Sequence, residues 1–172
     1  MRDDSFPDSG EDWSTLEWWR NHPRQGLLWV EVVIGYAGPG NWPNKRSHRR
    51  IDAVHFPGQP DRTVRRWVNS DTDGFAQAVS GAVVEIVEAK YELNFGVIGQ
   101  CIAGRDMLSR AYPNHGPLRQ VAIVRGTPDP ALNWICDRRS IEVVAIPHQR
   151  IDDLRATDAG LFVTESDGPS RT

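Results

Sequence analysis

The run Val83-Val84-Glu85-Ile86-Val87-Glu88-Ala89-Lys90 constrains this chain more than any other stretch. Its β-branched residues favour a strand. Apolar residues at both odd and even positions leave neither face to water, so the strand belongs inside a sheet covered on both sides. Side chains alternate along a strand, which puts Glu88 and Lys90 on one face at its end. Lysine is otherwise nearly absent: of the 20 basic residues only Lys45 and Lys90 are lysines. Upstream, Arg49-Arg50-Ile51-Asp52-Ala53-Val54 opens a second apolar run with an acid near its start. An aspartate on one strand and Glu-x-Lys at the end of the next is a metal-site pattern.

Breakers divide the rest into short elements. Trp13 to about Asn21 has helical spacing, with Asp12 as its expected cap and His22-Pro23 as its stop. Leu27 to Ile34 is expected as a strand and Gly35 to Arg50 as a long basic loop. Ile51 to Phe56 is the second strand and Thr63 to Val68 a short added one. Phe75 to Val79 is expected as a helical turn and Ala82 to Ala89 as the third main strand. Gly96 to Tyr112 follows as a helix and Val121 to Val124 as a strand. Asp129 caps a helix from Pro130 to about Arg138, and Ile141 to Ile146 is the last strand. The expected fold class is α/β, a mixed central sheet of about five strands with a meander first and helices at its sides. Residues 1–10 are expected to be disordered, 11–157 to form one domain and 158–172 a polar tail.

Composition limits the function classes. A net charge of −3 argues against a protein that coats nucleic acid but leaves room for a local basic patch. No apolar run approaches the ~20 residues of a membrane span. The N-terminal stretch lacks a signal peptide's apolar segment, and Cys101 and Cys136 read as small buried thiols; a cytoplasmic location is expected. His48, His55, His115 and His148 show no ligand spacing, and His55 falls on the strand face away from Asp52, where packing is the expectation. There is no Gly-rich phosphate loop and no Ser-His-Asp elbow.

Asp52 and Glu88 on neighbouring strands would supply a compact, half-open oxygen site for a hard cation, with the Ala89 carbonyl as a third oxygen. Lys90 would face the same water or phosphate. On the following helix, Gln100 and Arg105 are polar groups within a mostly apolar arc, which suits them to the site or to a phosphate, or to ordinary hydrogen bonds. On the first strand Glu31 alternates with Trp29 and Val33, so its charge needs a partner or a metal unless that edge faces water. Lys45, Arg46, Arg49 and Arg50 lead directly into Asp52, where they could grip phosphates, and Trp42 could stack on a base.

Together these residues resemble the PD-(D/E)XK nuclease superfamily. The motif aspartate corresponds to Asp52, the Glu-x-Lys to Glu88 and Lys90, and the helix-opening Gly-Gln to Gly99-Gln100. The resemblance implies a restriction-endonuclease-like or Holliday-junction-resolvase-like core and Mg²⁺-dependent cleavage of DNA phosphodiesters. It implies that Mn²⁺ can substitute and that a homodimer is possible. Many members carry a glutamate upstream of the aspartate; Glu17 on the first helix and Glu31 on the first strand both qualify, with Glu31 favoured. Ile51 stands where many members have proline, and Gly104 stands where one branch has tyrosine. The long gap between Asp52 and Glu88 implies an insertion around Arg62 to Gly81. Two alternatives remain open: a nuclease-like domain that only binds nucleic acid or protein, and an unrelated α/β protein with a coincidental Glu-x-Lys.

Overall fold

A computed structural model describes residues 7, 9–35, 48–68 and 72–158. The elements are α1 (Gly10–Arg20), β1 (Gly26–Ile34), β2 (Arg49–Pro57), β3 (Val64–Arg66), α2 (Thr72–Val79), β4 (Val84–Lys90), α3 (Phe95–Ala111), β5 (Leu118–Val124), α4 (Pro130–Arg138), β6 (Ile141–Ala145) and α5 (His148–Asp158). The expected disordered stretch 1–10 and polar tail 158–172 fall largely outside the described residues, as does the loop carrying Trp42, Lys45 and Arg46.

The strands form one mixed sheet in the order β3-β1-β2-β4-β5-β6. β1, β2 and β4 are the antiparallel meander, and β4, β5 and β6 run parallel, joined by α3 and α4. The short added strand expected within Thr63 to Val68 is β3, which joins the edge parallel to β1 and makes the sheet six-stranded. β3 and α2 lie in the long stretch between Asp52 and Glu88.

Both sheet faces are covered. On one, Ile51, Val54 and Ile86 pack with α2 and the C-terminal half of α3, and Val97, Ile98 and Cys101 pack with Ala122, Val124 and α4. On the other, Leu28, Val30, Ala53, Val87 and Ile123 pack under Leu16, Trp18 and Trp19 of α1 and Ile151 and Leu154 of α5. Cys101 and Cys136 are free and buried, and burial, with Glu88 nearby, pushes the Cys101 thiol up to about 12. No helix among the described residues is long and apolar enough to cross a membrane.

Two local expectations need correcting, and one helix was not foreseen. Ser9, not Asp12, is the N-cap of α1. Asp12 is its reciprocal partner, with Ser9 N–H donating to Asp12 Oδ2 at 2.9 Å and Asp12 N–H to Ser9 Oγ at 3.1 Å. α2 is a full eight-residue helix. Its Phe75 is fully buried, with ring contacts to Trp29, Phe56, Trp67 and Tyr112 at 5.2–5.8 Å. α5 was not legible as a helix, because Ile151 and Leu154 are its only buried anchors in a charged segment.

Candidate active site

β2 and β4 carry the two motif acids to the same end of the sheet. Their pairing runs from His55↔Glu85 to Ala53↔Val87, and Asp52 and Glu88 are the next residue on each strand. There the regular ladder gives way: the Ala89 N–H donates to Asp52 Oδ2 at 3.0 Å, a side chain replacing a backbone acceptor. The opposite neighbour of Asp52 also departs from strand geometry. Val30↔Ala53 and Val32↔Ile51 pair, while Glu31 between them has φ 60°, in the left-handed region. This inverts the alternation of β1: Leu28 and Val30 face α1, but after Glu31 the even-numbered Val32 and Ile34 join Leu27 and Trp29 on the opposite face. The sheet is thus locally opened on both sides of Asp52.

Lys90 bridges the site. Its Nζ donates to Asp52 Oδ2 at 3.3 Å, to the Ala89 carbonyl at 2.9 Å and to Glu11 Oε2 at 2.8 Å. Burial alone would lower the ammonium's pKa, but the Glu11 and Asp52 carboxylates outweigh it and hold the group above the ordinary lysine value. Glu88 is 1% exposed and its Oε1 has no hydrogen-bond partner among the described residues. Burial and the adjacent Asp52 carboxylate push its pKa up to about 8, against a smaller opposing pull from Arg49 and Lys90.

The structure therefore brings Asp52, Glu88 and Lys90 together, with Arg49 close enough to act on Glu88. The Ala89 carbonyl, expected as a third metal oxygen, accepts from Lys90. Gln100 lies on α3, which packs along β4, and its buried Oε1 also lacks a partner. Glu31 does not join them. Its carboxylate is held by Arg50 and lies 3.9 Å from Arg66. Arg105 pairs locally with Asp106 at 2.9 Å. Glu11 is the residue the sequence did not suggest: nothing local links the first turn of α1 to a strand end 79 positions away.

His55 is a second place where the sequence reading fell short. It does face away from the α3 side, but as part of a polar cluster. Its Nδ1 lies 2.8 Å from Glu85 Oε2, which is also 3.3 Å from His22 Nε2, and Arg119 Nη1 is 3.6 Å from Glu85 Oε1. Burial lowers the His55 pKa despite Glu85, whereas the imidazoles and Arg119 lower that of Glu85 despite its burial. Neutral His55 therefore donates to an anionic carboxylate.

Comparison with protein families, characterised proteins and solved structures finds no match to this chain.

Proposed function

We propose that this chain is a metal-dependent nuclease that hydrolyses DNA phosphodiesters, on a restriction-endonuclease-like core. The observation that carries the reading is Glu88: a buried carboxyl with an unpartnered oxygen, beside a second carboxylate and a lysine. A cation between the two carboxylates would satisfy that oxygen and offset their mutual repulsion. The element order supports it too, with a helix, an antiparallel meander bearing acids on β2 and β4, a helix and a parallel strand.

Asp52 and Glu88 would hold the Mg²⁺, with Mn²⁺ as a substitute. A hard divalent ion there would lower the pKa of a nearby water and offset charge on the phosphoryl oxygens. Asp52 keeps the end of β4 in place through the Ala89 N–H while offering its remaining lone pairs. Lys90 is positioned by Glu11 and Asp52 to orient the attacking water or to stabilise charge building on the phosphate. Attack at phosphorus by the water, which gives up a proton to solvent, breaks the bond to the leaving oxygen, which takes up a proton in turn. Lys45, Arg46, Arg49 and Arg50 would grip flanking phosphates, and exposed Tyr91, next to Lys90, offers a ring to a base. Gln100 would position water or phosphate from α3.

A second reading is an inert nuclease-like binding module. It is favoured by one observation, that Lys90 already pairs with both Asp52 and Glu11. Cleavage of plasmid, single-stranded and branched DNA in Mg²⁺ or Mn²⁺ separates the two. The nuclease reading expects metal-dependent cutting that falls by roughly 10²-fold or more in Asp52→Ala and Lys90→Ala. Absence of cutting by the wild type on every substrate would overturn it.

A further inference from the structure

The geometry points to a second metal site, for a borderline transition ion such as Zn²⁺, formed by His22, His55 and Glu85 on the sheet face opposite α3. The three residues come from the turn after α1, the middle of β2 and the start of β4, and one ligand atom from each lies within 4.8 Å of the others. Ligands around a tetrahedral zinc ion sit roughly 3.4 Å apart, given bonds of about 2.1 Å. His22 Nε2 is already 3.3 Å from Glu85 Oε2. His55 Nδ1, at 2.8 Å, needs to open by about half an ångström.

The surroundings fit each ligand. Arg119 engages Oε1 of Glu85, leaving Oε2 as the atom shared by both imidazoles. His22 Nδ1 lies 3.0 Å from the Arg24 carbonyl and 3.2 Å from the Arg24 amide nitrogen, so the turn can satisfy either tautomer. With the proton on Nδ1 and donated to that carbonyl, the Nε2 lone pair is freed, as in a metal-ligating histidine steered by its other ring nitrogen. The cost falls on His55, whose Nε2 is buried without a partner, with the Trp18 ring edge-to-face at 5.2 Å. Two imidazoles with one carboxylate favour zinc-like ions over Mg²⁺. His22 and Glu85 line a cleft of about 360 Å³, which also contains Arg24, Arg119, Glu142 and the Arg150–Glu17 pair. The cleft gives the ion access and leaves a fourth position for water.

The test uses the full chain, stripped with chelator and titrated with Co²⁺ alone and then Zn²⁺ alone. The expected result is one Co²⁺ per chain with the visible bands of a tetrahedral site, displaced by Zn²⁺. Affinity falls by more than about tenfold in His22→Ala and Glu85→Gln and is unchanged in Asp52→Asn. His22 sits at a helix end, and circular dichroism in chelator verifies that its variant is folded. No tetrahedral bands in the wild type, bands that survive His22→Ala, or bands lost in Asp52→Asn would each overturn the site. DNA cleavage plays no part in this readout, so the two metal proposals stand or fall separately.

Discussion

Burying the Glu88 carboxyl removes it from water, and Asp52 beside it adds a like charge, so the metal-free fold favours the protonated acid near neutrality. The sign of the linkage follows. The folded pKa, about 8, lies above the unfolded one, so between about 4.5 and about 8 the folded state binds more protons and loses stability as pH rises. Glu88→Gln removes that titration and keeps the shape. In chelator it is expected to match the wild type near pH 5 and to be more stable at pH 8.5, by on the order of 1–3 kcal/mol, or several degrees in Tm. Thermal melts at the two pH values measure this. A variant equally or less stable at pH 8.5 would mean that Glu88 is not strained by its surroundings.

Two elements hold the acid-bearing strands in place, and each depends on one residue. α3 approaches the sheet at Gly104, where an added Cβ would lie 3.2 Å from Ile86 Cγ2 and 3.5 Å from Ile51 Cδ1. Ile51 precedes Asp52, and Ile86 lies two residues before Glu88 on the same face. A tyrosine could not occupy that position with the helix at this distance. Gly104→Val is expected to cost about 2–3 kcal/mol, from overpacking against both strands, read as a lower urea midpoint. α2 is anchored by Phe75 within its ring of aromatics, and Phe75→Ala is expected to cost about 3–5 kcal/mol. A loss below 1 kcal/mol would show that α2 contributes little to the fold.

For the molecule as a whole, divalent ions should act as a stabilising ligand. At Mg²⁺ tenfold above its Kd the gain is about 1.4 kcal/mol, a rise of a few degrees in Tm. Because the ion competes with a proton on Glu88, the gain should be larger at pH 8.5 than at pH 6.5. It should be absent in Asp52→Asn. Equal stabilisation in that variant would place Mg²⁺ elsewhere on the protein.

Much of the architecture was legible along the chain because its causes are local. β-branched runs stopped by Pro and Gly marked the strands, and Asp129 caps α4 as expected, accepting from Ala131 and Leu132. The gathering of Asp52, Glu88 and Lys90 at one end of the sheet needed only the meander. Tertiary structure decided the rest. A left-handed backbone at Glu31 reversed the facing of β1 and sent that acid to Arg50 and Arg66, which no regular period foretells. Glu11 reached Lys90, and His22 met His55 and Glu85, only because α1 packs across the sheet. Side chains separated by 30 or more positions become neighbours through strand register and helix packing, and neither is written in the spacing of the residues that meet.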